Sequence, residues 1–306
     1  MSDPVRQIAD AVLYEGYILW PYRRSALKNQ RRWTFGGVYP EAHSREHPDD
    51  RARVRTECLI EGEPDVDVRV RFLHVVRRDL AAPDGSRVDE LSAGGERTLA
   101  WDEAVEREVA PGPIAIPAGR EERALGEAGT VIRSWEALAG EVAVDVAELR
   151  PGLARVRVDI ANRTPWEGGP REAALRRTFC STHVVLRTRR GRFVSLTDPP
   201  EPLRAEAEAC VNEGMWPVLV GEPGSRDTLL SSPIILEDHP RIAPESPGDL
   251  FDGSEVDELL VLNILSLTDE EKAEMRDSDP RAREILERTE ALRPADVLRL
   301  HGAIRR

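Results

Sequence analysis

Residues 66–72 read VDVRVRF, a strict alternation of apolar and charged side chains. Successive side chains of a strand point to opposite faces of a sheet, so this pattern predicts a strand with one buried face. The stretch LARVRVDIAN at residues 153–162 repeats it, and Leu153 and the apolar residues at 154, 156, 158 and 160 are predicted to fill one face. Together with turn signals such as Pro83-Asp84-Gly85, these strands predict an antiparallel β-sandwich-like core.

The patterns divide the chain into four regions and predict the α+β class. The regions are an N-terminal basic and aromatic segment packing on the core (1–53), a β-rich sandwich-like domain (54–165), a mixed α/β segment (166–254) and C-terminal helices (255–306). Within them we expect a loop over residues 41–50, a hairpin around Arg190-Gly191 and a helix over residues 202–212. Thr268 and Glu271 have the spacing of a capping box, which predicts that a helix begins there.

Composition limits the classes of function. The 306-residue chain has a net charge of -13, and general binding to nucleic acid needs an excess of basic residues instead. No stretch has the roughly 18–20 apolar residues that a membrane-spanning helix requires. The N-terminus lacks the pattern of a secretory signal. The chain has three cysteines that lie far apart in sequence, which is typical of reduced thiols rather than of a disulfide framework. We therefore expect a cytoplasmic protein.

Residues 22–39 carry several basic side chains and no acidic one, interleaved with aromatic rings. One interpretation is a docking surface for an acidic partner or a phosphate-bearing ligand, because arginine offers two parallel donors to an oxyanion. The other is a solvated connector whose aromatic residues anchor it to the core. The first interpretation predicts a partner-binding set, which we call the basic strip: Tyr22, Arg23, Arg24, Lys28, Arg31, Arg32 and Trp33.

A metal site is the second candidate. Cys180 and His183 have C-x-x-H spacing and Cys210 follows, and thiolate with imidazole suits zinc or nickel. The paired second motif of a structural zinc site is missing, and residues three apart in a strand point to opposite faces. A buried free cysteine is the alternative interpretation. We predict no resident cofactor, with nickel or zinc at these residues as the alternative.

The sequence contains no recognisable catalytic motif, so no catalytic residue is predicted and an enzymatic role is not favoured. Ser231, Ser232, Asp238 and His239 lie close in sequence, but the G-x-S-x-G motif of a serine nucleophile is absent. Residues 248–255 gather acidic residues in a loop without the spacing of a calcium site. Glycine-rich phosphate loops are also absent.

Two blocks of sequence carry a family resemblance. The first contains VLYEGY (12–17), PYR (21–23), SALKN (25–29) and RWTFG (32–36); the second contains SSPIIL (231–236), IAPES (242–246), GDLFDG (248–253) and LTDEEK (267–272). Both resemble an uncharacterised family encoded beside actinobacterial-type, high-affinity nickel–iron hydrogenases. The resemblance implies an accessory, assembly or maturation factor that binds a hydrogenase subunit or maturation protein. The alternatives are a metal-handling protein or an enzyme with an unfamiliar site around Cys180, His183 and Cys210, and a small-ligand-binding sandwich.

Overall fold

The computed structural model describes residues 36–240, 264, 267–278, 283, 286, 287 and 289–291. Their helices are α1 (Glu41–Glu46), α2 (Arg171–Leu175), α3 (Arg204–Glu208) and α4 (Asp269–Ser278), with 3-10 turns at Gly126–Ala128 and Glu201–Leu203. Their strands are β1 (Arg53–Gly62), β2 (Val66–Ala81), β3 (Arg87–Val88), β4 (Glu90–Ala93), β5 (Glu96–Leu99), β6 (Trp101–Val109), β7 (Gly112–Ile116), β8 (Gly119–Ala124), β9 (Thr130–Trp135), β10 (Leu138–Arg150), β11 (Leu153–Asn162), β12 (Cys180–Thr188), β13 (Gly191–Phe193), β14 (Trp216–Leu219) and β15 (Thr228–Ser232). None of these helices has the length and apolar character to cross a membrane.

The strands form two large antiparallel sheets that share one core. The five-stranded sheet has the order β13-β1-β11-β10-β7, and the eight-stranded sheet has the order β14-β15-β12-β2-β9-β8 with β6 and β3 also paired to β2. Side chains of both sheets meet in the main cluster, where Val156 and Ile160 of β11 join Phe72 of β2 and Val184 of β12. The predicted α+β class with an antiparallel sandwich-like core is confirmed.

Strand β2 organises the eight-stranded sheet because it is long enough to pair with two strands on each edge. One edge pairs with β12 over residues 66–73 and then with β9 over residues 77–81. The other edge pairs with β6 over residues 70–78 and then with β3. The predicted alternation holds, since Val68, Val70 and Phe72 lie in the main core. The mixed segment predicted over residues 166–254 contributes β12 and β15 to this same sheet.

Strand β11 shows the same alternation with one difference from the prediction. Val156, Val158 and Ile160 face the main core, as expected. Leu153 instead packs with Leu59 on the opposite face of the five-stranded sheet. The reason is the two-residue repeat of a strand, which places residues 153 and 154 on opposite faces.

The prediction of a hairpin around Arg190-Gly191 is wrong, because the two strands on either side of it belong to different sheets. β12 pairs with β2, whereas β13 pairs with β1. Asp65 holds the connection: its carboxylate accepts hydrogen bonds from Thr188 Oγ1 at 2.5 Å and from the Arg190 backbone at 3.1 Å. These bonds keep the pKa of Asp65 well below its usual range. The chain therefore crosses between sheets where the sequence favours a simple reversal.

Four local predictions have clear outcomes. The turn at Pro83-Asp84-Gly85 joins β2 to β3, and Gly85 takes the positive φ of +82° that it requires. The capping box is confirmed, because the Thr268 backbone donates to Glu271 at 2.8 Å and the Glu271 backbone donates to Thr268 Oγ1 at 3.3 Å. The loop predicted over residues 41–50 instead begins with α1, and the helix predicted over residues 202–212 is the shorter α3.

Candidate functional site

A bend at the start of β12 is the most unusual backbone feature near the predicted site residues. Ser181 has a φ of +51°, in the left-handed region that side chains other than glycine rarely adopt. The register between β12 and β2 shifts at this point, between Cys180 and His183. Ser181 Oγ and His183 Nε2 are both buried without a hydrogen-bond partner among the described residues. The bend thus concentrates backbone strain and unpaired polar atoms in one place.

His183 is held as a neutral imidazole. Its Nδ1 lies 3.2 Å from the Ser181 carbonyl, which can only accept a hydrogen bond, so Nδ1 carries the proton and Nε2 the lone pair. Burial, together with the nearby Arg71 guanidinium, lowers the pKa of His183 to about 3. Arg71 itself donates to Glu106 at 3.1 Å. At neutral pH the Nε2 atom of His183 can therefore accept a hydrogen bond. The positive charge of Arg71 beside it is already paired with Glu106.

One residue from each of the two blocks that carry the family resemblance, Gly36 and Pro233, lies beside this bend. Gly36, at the end of the first block, accepts a hydrogen bond from the Thr182 backbone at 3.0 Å. A Cβ atom on Gly36 would lie 2.5 Å from ring carbons of Pro233 in the second block, so the backbone of Gly36 packs directly against the proline ring. Gly36 also has a φ of +58°, and both constraints require glycine here. Segments far apart in sequence therefore converge on β12.

The basic strip lies outside the described residues. Binding of a partner through these residues therefore stays a prediction; they are Tyr22, Arg23, Arg24, Lys28, Arg31, Arg32 and Trp33. Val38 and Tyr39, which follow the strip, are buried, and Val38 pairs with Phe179 at the start of the bend. The described chain that follows the strip is thus anchored next to β12.

The three predicted metal ligands lie in different environments. Cys180 is buried among Tyr39, Leu73 and Leu175. Cys210 instead packs on the cluster around Leu59, which covers the outer face of the five-stranded sheet, and burial raises its pKa to about 11. Across the described part of the chain, no three His, Cys, Asp or Glu side chains are grouped so as to hold a metal ion. Nickel or zinc binding at these residues stays a prediction that this geometry does not favour.

Asp238 and His239 stabilise a corner of the fold rather than a serine. Asp238 accepts hydrogen bonds from Ser195 Oγ and, at 2.8 Å, from the Leu219 backbone. Ser231 donates to Thr56 Oγ1 at 2.7 Å, and Ser232 to the Ile234 carbonyl at 2.8 Å. Each serine hydroxyl therefore has a partner other than His239.

A histidine and carboxylate pair at α1 was not predicted. His43 Nε2 lies 2.9 Å from Asp50 Oδ2, and the His43 ring stacks on Tyr39 with centroids 5.2 Å apart. Its Nδ1 is buried without a hydrogen-bond partner among the described residues. The spacing of His43 and His47, which places both rings on one face of a helix, is the sequence signal that could have revealed this cluster. The rings of Tyr39 and Trp166 pack against His43, so the hydrogen bond to Asp50 fixes the orientation of a buried imidazole.

Compared with models of known protein families and with the sequences of curated proteins, the chain gives no match.

Proposed function

We propose that this chain is an accessory protein that acts by binding another protein, and that its partner is a subunit or maturation protein of a nickel–iron hydrogenase. The observation that supports the proposal most directly is the contact between Gly36 and Pro233. It brings the ends of the two blocks that resemble the hydrogenase-associated family against the same bend in β12. Segments that form one surface can contribute to one binding site even when they are distant in sequence.

Electrostatics supports an acidic partner. The basic strip contains no acidic residue, whereas the whole chain has a net charge of -13. A local positive surface on a negative molecule attracts an acidic patch and sets its orientation, mainly through the rate of association. This attraction decreases with salt because exposed charges are screened beyond roughly 8–10 Å at physiological ionic strength.

A cytoplasmic location is part of this proposal. The cysteines support it, because Cys58, Cys180 and Cys210 are all free thiols and two of them are buried. Reduced thiols are the normal state in a reducing compartment.

The first experiment is capture of the tagged chain from its native host, with the recovered proteins identified by mass spectrometry. We expect a hydrogenase subunit or maturation protein to be enriched over an untagged culture, and deletion of the gene to lower hydrogen uptake. If no hydrogenase component is recovered and hydrogen uptake is unchanged by the deletion, the proposal is wrong.

The second experiment tests the surface. The double substitution Arg23→Glu and Arg24→Glu is expected to weaken retention of the captured partner about tenfold at low salt. The matched control is Arg120→Glu with Arg123→Glu, which changes the net charge equally on the exposed strand β8. Equal loss of binding in both variants would mean that net charge, and not the basic strip, determines the interaction.

A further inference from the structure

Strand β10 has an edge that lacks a partner strand over much of its length. On one side β10 pairs with β11 from Gly140 to Arg150, whereas on the other side β7 covers only residues 138–142. Among the described strands none pairs with residues 143–149 on that second side, which we call the free edge of β10. The edge of a strand presents backbone donors and acceptors that can pair with another chain.

The hydrogen-bonding pattern shows which backbone groups lie at the free edge. The Ala139 carbonyl accepts from the Arg163 backbone at 2.8 Å, so residue 139 bonds toward the β11 side. Hydrogen-bonded pairs alternate along an antiparallel ladder, so the other odd-numbered residues up to 147 bond toward β11 as well. Val144, Val146 and Glu148 therefore direct their N–H and C=O groups toward the free edge.

The side chains of the free edge are largely apolar. Val144 packs partly against the main core, and Val146, on the same face, is 42% exposed. Leu149 is 39% exposed. The Asp145 carboxylate lies 3.7 Å from Arg157 of β11, so its charge is compensated within the sheet. Residues 143–149 contain no proline and no lysine, the residues that most often prevent pairing at an edge.

The other outer strands of the two described sheets are protected against pairing. Strand β14 contains Pro217, and its Leu219 backbone donates to Asp238 at 2.8 Å instead of to a strand. Residues 120–123 of β8 are all charged, and charged residues make up more than half of β6. Strand β7 is short and contains Pro113, and β13 has three residues. The free edge of β10 has none of these devices.

We propose that the free edge of β10 pairs with the same edge of a second copy of this chain, in an antiparallel arrangement that joins the two five-stranded sheets. The apolar side chains of one copy then contact those of the other, and the outward backbone groups of both copies form hydrogen bonds. This inference does not depend on the proposed function, because it uses none of the residues assigned to partner binding.

The register follows from the charges and the backbone groups of the free edge. With a two-fold axis at Val146, this residue lies opposite its own copy, and Val144 lies opposite Glu148 of the second copy. The outward backbone groups then face one another, and no carboxylate is opposite another. An axis at Asp145 or Glu148 would place two carboxylates directly opposite, which destabilises a strand pair. An axis at Ala147 would place Val146 opposite a carboxylate.

The dimer is expected to be weak and to be favoured by salt. A single short strand pair buries less surface than a standard protein interface, so we expect a dissociation constant on the order of 10 μM. Each chain has a net charge of -13, so two copies repel each other until salt screens their charges. Binding of an acidic partner through the basic strip has the opposite salt dependence, so the two interactions can be distinguished.

Sedimentation velocity of the full chain, over concentrations from about 1 to about 500 μM, tests the association itself. We expect the mass to rise with concentration from 34.2 kDa toward twice that value, and to rise at lower concentration when salt is added. A chain that stays monomeric over this range at both low and high salt would overturn the proposal.

The substitution Val146→Glu tests the surface, because it places two carboxylates opposite each other at the axis. We expect it to weaken dimerisation by about tenfold or more while leaving the Tm unchanged. Val211→Glu is the matched control: Val211 is 44% exposed, lies outside β10, and the substitution adds the same charge. If both variants dimerise as the wild type does, or if both lose dimerisation equally, the free edge of β10 is not the interface.

Cysteine cross-linking tests the register. Opposite residues of a hydrogen-bonded pair have Cα atoms about 5.5 Å apart, within the range of a disulfide, so Val146→Cys should form a covalent dimer under mild oxidation. Ala143→Cys lies on the same edge, but in this register its two copies are about 20 Å apart and should not cross-link. The wild type, with its three native cysteines, gives the background. Cross-linking of Ala143→Cys as efficiently as Val146→Cys would contradict the two-fold axis at Val146.

Amide hydrogen exchange identifies what covers the edge. We expect the amides of Val144, Val146 and Glu148 to be protected in a concentrated sample and to exchange faster on dilution. Protection that appears only when a captured partner protein is added would assign the edge to that partner and overturn the pairing with a second copy.

Discussion

At the scale of single residues, Asn162 illustrates how one side chain joins distant segments. It is buried at the end of β11, and its Nδ2 donates to the Val38 carbonyl at 2.8 Å and to the Arg177 carbonyl at 2.7 Å. Its Oδ1 accepts from the Thr164 backbone at 2.8 Å. An amide is required, because only an amide offers both donors and an acceptor in one plane.

Asn162→Ala should lower the free energy of unfolding by about 2 to 4 kcal/mol, because it leaves buried carbonyls without a donor. Asn162→Asp should be at least as damaging, since a carboxylate cannot donate to the two carbonyls. Urea denaturation measures both. Asn212→Ala is the control: the Asn212 amide also bonds to β1, but it is only partly buried, and about 1 kcal/mol is expected. A loss below 1 kcal/mol for Asn162→Ala would contradict this role.

Arg71 shows at the same scale why a sequence pattern can misplace a side chain. Arg69 and Arg71 occupy equivalent positions in the alternation, and the pattern predicts that both face solvent. Arg69 is exposed, but Arg71 is buried because β6 brings Glu106 and Glu108 alongside it. Pairing with carboxylates offsets the desolvation that would otherwise keep an arginine at the surface. No residue adjacent to Arg71 in sequence carries this information.

At the scale of elements, strand β12 is notable because its second residue, Ser181, has a strained backbone conformation. The positive φ of Ser181 destabilises the fold, and so does its buried hydroxyl, which has no hydrogen-bond partner in the described part of the chain. The bend turns the backbone so that Thr182 bonds to Gly36 while Val184 and Leu186 still face the main core. Strain at this position is therefore offset by the packing on either side of it.

Ser181→Gly should raise the free energy of unfolding by about 0.5 to 1 kcal/mol, because glycine adopts a positive φ without strain. Ser181→Val should lower it by about 2 kcal/mol or more, since a β-branched residue is least compatible with this backbone. Thermal and urea denaturation of both variants provide the measurement. If the two substitutions have the same effect, the backbone conformation of Ser181 does not limit stability.

The elements also differ in how well the sequence predicted them. The strand at residues 66–72, the turn at Pro83-Asp84-Gly85 and the capping box at Thr268 were predicted because each depends on neighbouring residues only. The hairpin around Arg190-Gly191 was not, since the partners of β12 and β13 are distant strands in separate sheets. Of the candidate site, the sequence indicated His183 and Cys180 as residues of interest. It did not indicate His43, whose ring contacts Tyr39 and Trp166 as well as Asp50.

At the scale of the whole molecule, two buried neutral histidines make stability depend on pH. The pKa of His74 is lowered to about 4 and that of His183 to about 3, from an ordinary value of 6.5. Between those values the unfolded chain binds protons that the folded chain does not. The free energy of unfolding therefore decreases as the pH falls below 6.5, and it is fully retained above that value.

Between pH 7 and pH 5 the expected loss is about 2 kcal/mol for each histidine. Urea denaturation at the two pH values tests this, and His183→Leu should remove about half of the difference. Asp65 does not interfere, because its lowered pKa keeps its contribution intact until the pH falls below its ordinary value of 3.8. Stability that is equal at pH 5 and pH 7 would show that neither ring is held neutral.

The sequence by itself determined which stretches become strands, which faces of them are apolar, and where α4 begins, because these depend on the two-residue repeat and on contacts within a few positions. Tertiary structure alone decided which strands pair, and therefore that Arg71 meets Glu106. It also brought Gly36 against Pro233 beside β12. The physical reason is that the environment of a side chain is set by the register between distant strands, which only the packing of the whole core determines.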